Sequence, residues 1–156
     1  MSYFETFMYY TINIIKRRGE NKMNRKLFLS SSFSDVSELL PDFLGDLSNK
    51  RVTFIPTAAK VEKVNFFVKL GKKALEKMGA VVDELELSTA TAEEIKTKIE
   101  KNDIIYVSGG NTFFLLQEMK RSGADKLIMQ EIRGGKPYIG ERGCEIYLSF
   151  NKIIGR

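Results

Sequence analysis

A three-layer α/β fold, in which helices cover both faces of a mainly parallel sheet, is the class this chain predicts. Three observations carry it: short apolar runs recur along the chain, segments of helical period separate them, and glycine- or hydroxyl-rich turns follow each run. Strands that are apolar on both faces belong inside a parallel sheet, where neither face meets water. Right-handed crossovers then give a doubly wound arrangement.

The elements follow in order from Asn24. "KLFLSSS" (residues 26–32) has the compact apolar centre of a buried strand. "SDVSELLPDFLGDL" (34–47) is helical, with Ser34 or Asp35 suited to an N-cap and Pro41 dividing it into two short pieces. "RVTFIPT" (51–57) is a second strand. The next helix places Val64, Phe67, Val68, Leu75 and Met78 on one face, with Gly71 in the same stripe and Gly79 as its C-cap. "VVDELEL" (81–87) is a third strand, and Thr91 with Glu94 makes a capping box for a helix that turns Ile95 and Ile99 inward. "DIIYVSGG" (103–110) is a fourth strand. Helices over 112–121 and 125–133 lead to "PYIGE", a fifth strand that tolerates Pro137 at its entrance.

A chain of 156 residues suits one domain. Residues 23–141 are read as that domain, 1–22 as an extension outside the fold, and 142–156 as an aberrant tail. Met23 is read as the natural start. The apolar run at 7–15 is too short to span a bilayer, and its basic residues follow it, where a signal peptide has them ahead. No membrane association is expected. The net charge of +5 is spread among acids along helices, so no nucleic-acid partner is expected.

Two absences limit the chemistry. The chain has no histidine, so it cannot assemble a Ser-His-Asp or Cys-His relay by itself. Its one cysteine, Cys144, allows neither an internal disulfide nor a thiolate metal cluster. No metal or cofactor is expected, and a reducing, cytoplasmic setting is.

In such sheets, ligands collect beyond the carboxyl ends of the strands. That selects "SSSFSD", "PTAAK", "SGGNT" and "GERGC". Gly109 and Gly110 permit close approach, and a helix starting near Thr112 aims free N–H groups at the loop. An oxyanion or a phosphate is the natural guest; a plain strand-to-helix turn has the same sequence. Neither G-x-G-x-x-G nor a Walker lysine is present, which argues against a nucleotide site. Thr57 and Asp35 suit capping, and Cys144, with no histidine to activate it, suits an incidental thiol.

Taken together, "FIPTA", "IYVSGGNTFFLLQEMK" and "YIGE" resemble the serine peptidases of the dipeptidase E (α-aspartyl dipeptidase) and cyanophycinase type. The resemblance runs from about Asn24 to Glu141. It implies a fold like that of the class I glutamine amidotransferases, related to the flavodoxin arrangement, and a cytoplasmic hydrolase of small peptides. It also implies a nucleophilic serine in a G-x-S-x-G elbow, activated by a later histidine. By the same resemblance, the backbone of Gly109 and Gly110 supplies an oxyanion donor and Asn111 borders the substrate.

The chain departs from that pattern at the elbow. Gly140 and Glu141 match, but Arg142 stands at the serine position, followed by Gly143 and Cys144. Loss of one AG from a GAGAG run would turn a Glu-Ser-Ala-Gly reading into the Glu-Arg-Gly-Cys of 141–144. The tail is therefore read as out of frame, with the family's C-terminal part missing. Ile146, Leu148 and Phe150 alternate as in a makeshift strand. The expectation is an inactive peptidase-type chain that dimerises or aggregates through an exposed sheet edge. A pseudoenzyme that holds a small anionic ligand or peptide at Gly109, Gly110 and Asn111 is the alternative.

Overall fold

The computed structural model describes residues 8–14 and 23–142. Its strands are β1 (Met8–Ile14), β2 (Met23–Leu29), β3 (Arg51–Ile55), β4 (Val81–Glu84), β5 (Ile104–Val107) and β6 (Tyr138–Gly140). Its helices are α1 (Phe33–Val36), α2 (Leu40–Leu44), α3 (Phe66–Lys77), α4 (Ala92–Lys101), α5 (Thr112–Ser122) and α6 (Ala124–Arg133). They build one sheet in the order β1-β2-β6-β5-β3-β4. The five strands from β2 to β4 run parallel, as the apolar runs predict.

Along each central strand, successive side chains point to opposite faces and enter different cores. Phe28, Val52, Phe54, Ile104, Tyr106 and Ile139 meet Phe33 and Val36 of α1, Leu40 of α2 and Leu75 of α3. Leu27, Ile55, Ile105, Val107 and Tyr138 meet the layer of α4, α5 and α6, through residues such as Ile95, Ile99, Leu115 and Ile128. Two cores on one sheet make the three layers.

Several details depart from the sequence reading. Residues 1–22 were expected outside the fold, yet the backbone of Met8–Ile14 pairs antiparallel with Met23–Leu29 along the edge of β2. A free strand edge accepts any extended segment that reaches it. The first helix begins at Phe33, ahead of the expected Ser34 or Asp35 cap, and its N-cap Ser32 makes no side-chain capping bond. Burial decides that start: the Phe33 ring packs edge-on against Phe28 and Tyr106, with centroids 6.1 and 5.1 Å apart. Helix α3 begins at Phe66, leaving Val64 outside it and 61% exposed.

At two helix starts local chemistry acts as expected, whereas β4 ends at Glu84, short of the expected Leu87, and Met78 stands at the C-cap of α3 where Gly79 was expected. Pro41 stands in the first turn of α2, where its missing N–H costs nothing. Thr91 caps α4 by accepting the Glu94 N–H at 3.2 Å. The Glu94 carboxylate pairs onward with Lys98 at 3.0 Å, so only half of the capping box forms.

Candidate functional site

Strand β3 has β4 on one side and β5 on the other, so the chain reverses its direction of winding at the β3–β5 boundary. The loops that leave these two strands meet there, where a doubly wound sheet opens its crevice. The Asn111 N–H donates to the Ala58 carbonyl at 2.8 Å, which ties the "SGGNT" loop to the "PTAAK" loop. Gly110 makes this approach possible. Its φ is +142°, and a β-carbon there would lie 2.4 Å from the Ala58 carbonyl oxygen.

Gly109 faces the other way, toward the end of β6. A β-carbon on it would come within 3.1 Å of the Arg142 carbonyl oxygen. The Glu141 N–H donates to the Val107 carbonyl at 3.1 Å, and the Ser30 N–H donates to the Gly140 carbonyl at 3.0 Å. Backbone bonds thus hold the Gly140–Glu141 turn between the ends of β5 and β2. The glycine loop and the turn, distant in sequence, are neighbours.

Glu141 is only 4% exposed. Its carboxyl accepts the Tyr106 hydroxyl, and Gly109 stands against its side chain, with a β-carbon position 3.4 Å from the Glu141 β-carbon. Burial nevertheless dominates and pushes its pKa up to about 8, against the opposing effect of the Gly109 N–H. Gly71 on α3 makes room for the pair: a β-carbon there would lie 2.6 Å from the Tyr106 hydroxyl and 3.4 Å from Oε1 of Glu141.

Arg142 follows in the turn with its side chain exposed. Asn111, which the resemblance puts beside substrate, is the N-cap of α5, and its side-chain oxygen accepts the Phe114 N–H at 2.9 Å. Thr57 is buried and accepts the Leu87 N–H at 3.1 Å, which is a structural role. Asp35 is exposed on α1. Cys144 and the tail at 143–156, including Ile146, Leu148 and Phe150, lie outside the described residues. Among the described residues no cluster of three or more His, Cys, Asp or Glu could hold a metal ion, and no helix is long and apolar enough to cross a membrane.

Sequence reasoning passed over Tyr106 and Gly71. Tyr106 looks like one more apolar strand residue, although its hydroxyl needs a buried partner. Gly71 carried the better signal, since a glycine in the apolar stripe of a helix marks a close approach.

The sheet order and the two apposed turns define an α/β protein of the peptidase E fold. A crystal structure of a peptidase E protein from Listeria monocytogenes EGD-e superposes with a TM-score of 0.74 at 61% identity, covering 75% of this chain and 58% of that one. The chain belongs to peptidase family S51, whose pattern it matches over residues 26–142. It is 58% identical over 127 residues to the uncharacterized peptidase Lmo0363 of Listeria monocytogenes, covering 81% of this chain and 62% of that protein. It is 36% identical over 101 residues to Peptidase E of Pasteurella multocida, covering 65% of this chain and 42% of that protein. The chain therefore spans less than two thirds of the length of these relatives, 62% of the first and 42% of the second.

Proposed function

We propose that this chain is a serine-type peptidase of the dipeptidase E kind by lineage and is catalytically inactive as a polypeptide of these 156 residues. One observation carries the reading. Glu141 sits at the strand end that the family's elbow requires, and the next residue is Arg142. A guanidinium keeps its proton at ordinary pH and has no lone pair with which to attack a carbonyl. With no histidine in the chain, the base that activates the family's serine is absent as well.

The substrate class of the lineage is small peptides, including those that begin with aspartate. Membership of family S51 and the apposition of Gly109 to the turn at 142 support that assignment. A cytoplasmic setting and self-association through an open strand edge belong to the same reading. Losing nucleophile and base together removes on the order of 10⁶ in turnover.

The test is hydrolysis of Asp-X dipeptides by the purified chain, alongside labelling with a fluorophosphonate probe. No turnover and no adduct are expected, and Arg142→Ser alone restores neither. A covalent adduct on the purified chain would overturn the proposal.

A second reading, a binding module for a small anion or acidic peptide at Gly109, Gly110 and Asn111, is favoured by one feature: the glycine loop is fully formed ahead of α5. Thermal stabilisation by aspartyl dipeptides separates it from the first reading.

A further inference from the structure

We propose that Glu141 is a positioning residue: with Tyr106 as its partner, it fixes the turn at residue 142 against the Gly109–Gly110 loop. The inference rests on reading position 142 as the elbow of the family and deepens that reading.

Three elements converge on the one carboxyl. The Tyr106 hydroxyl arrives from β5, Gly109 of the glycine loop stands against the Glu141 side chain with a β-carbon position 3.4 Å from its β-carbon, and Gly71 of α3 leaves the space in which hydroxyl and carboxyl meet. Tyr106 is itself locked. Its ring stacks on Phe54 at 4.6 Å and 11° and takes Phe33 edge-on at 5.1 Å. The hydroxyl therefore has little freedom to follow Glu141 if the turn shifts, and it acts as a fixed stop.

Burying a carboxyl among these rings is unfavourable, and an apolar residue would fill the site at lower cost. What a carboxyl adds is a link between loop and turn that no hydrocarbon supplies. That link sets the clearance between Gly109 and the Arg142 carbonyl, where a β-carbon would already be tight at 3.1 Å.

The surroundings make the link easy to read. Burial and the Gly109 N–H account for the displaced pKa of Glu141, with no charged neighbour contributing. Tyr106 is the titratable group in contact with it among the described residues. On α3, Lys72 beside Gly71 is turned away to Glu84 at 3.1 Å. On α1, Asp35 is exposed, as is Arg142 in the turn itself.

The test follows the Gly109 and Gly110 amide resonances and the Glu141 side-chain carbonyl carbon of the whole chain across pH 5 to 9.5. The carboxyl is expected to titrate with a midpoint at about 8, and the Gly109 amide to shift with the same midpoint. Glu141→Gln should abolish that shift in the Gly109 amide. Tyr106→Phe should move the midpoint upward, because it removes a donor that favours the charged form. Should Glu141→Gln fail to fold, Tyr106→Phe and the wild-type titration carry the test. A carboxyl that titrates in the ordinary range, or a Gly109 amide indifferent to it, would overturn the proposal. Turnover enters nowhere, so an active chain would remove the functional reading and leave this measurement intact.

Discussion

A β-carbon at Gly71 would lie 2.6 Å from the Tyr106 hydroxyl, so α3 crosses β5 over a gap that only glycine leaves. Two effects compete in Gly71→Ala. Replacing a mid-helix glycine gains about 1 kcal/mol of helix propensity. Against it stand overpacking, typically about 1–3 kcal/mol, and displacement of the hydroxyl that donates to a neutral, buried carboxyl, about 0.5–1.5 kcal/mol. The loss wins, and a net destabilisation of roughly 1–3 kcal/mol is expected in urea unfolding. The offending atom is the hydroxyl, since the ring carbon behind it lies at an ordinary 3.4 Å. In a Tyr106→Phe background the same Gly71→Ala change should therefore be close to neutral, and a double-mutant cycle reads that coupling directly.

Glu141 makes stability depend on pH in the direction opposite to a salt-bridged acid. Its ordinary pKa is 4.5, and burial raises it to about 8 in the folded chain. Below the lower value both folded and unfolded states are protonated, and the contribution of the neutral, buried form is fully present. Between the two values the unfolded chain ionises while the folded one resists, so stability falls with rising pH by at most about 1.4 kcal/mol per unit. Above the higher value the loss is complete. Unfolding midpoints at pH 5, 6.5 and 8 should fall in that order, and Glu141→Gln should flatten the trend. Asp83 does not confuse the window. Burial raises its pKa, the bonds from Asn102 and Lys98 outweigh that, and the net lowering confines its effect to acid pH.

The two glycines of positive φ at opposite ends of α5 predict different penalties. Gly110 combines a φ of +142° with a β-carbon position 2.4 Å from the Ala58 carbonyl oxygen, and both partners are backbone. Gly123 has a φ of +76° with nothing within 4 Å. Gly123→Ala should cost only the strain of a left-handed residue, about 1 kcal/mol. Gly110→Ala adds a clash that no side-chain rotation relieves, and it should cost several times more in melting experiments. Equal losses would show that the loop moves away from Ala58 without penalty.

The fold was legible because its two periods are clean. Val52, Phe54, Ile104 and Tyr106 enter one core while Ile55, Ile105 and Val107 enter the other, and every one of them is buried. Alternation of that kind survives in the sequence as a continuous apolar run. The Gly109–Gly110 loop and Glu141 were legible as punctuation at strand ends. Their contact was not, because 32 positions separate the loop at 109 from the turn at 141 and only strand order joins them. The Tyr106–Glu141 bond was hidden for the same reason. It pairs residues 35 apart that each satisfy a simpler local explanation. Short boundaries failed where packing overrode capping, as at Phe33, whose burial starts α1 ahead of the better cap residues.

Asn111 distinguishes a capping role from a ligand-binding one. Its side-chain oxygen accepts the Phe114 N–H at 2.9 Å and so satisfies one of the free donors in the first turn of α5. Asn111→Ala leaves that donor without its partner and should cost about 1 kcal/mol. Asn111→Asp keeps the acceptor and adds a negative charge at the positive end of the helix, so it should hold or slightly raise stability. If Asn111 instead served an anionic guest, the aspartate would repel it. Thermal shift with an aspartyl dipeptide would then fall in Asn111→Asp while the unliganded melt stayed high. A pure cap gives the same dipeptide response in the aspartate variant and the wild type. Parallel melts of the three chains, with and without dipeptide, decide between the two.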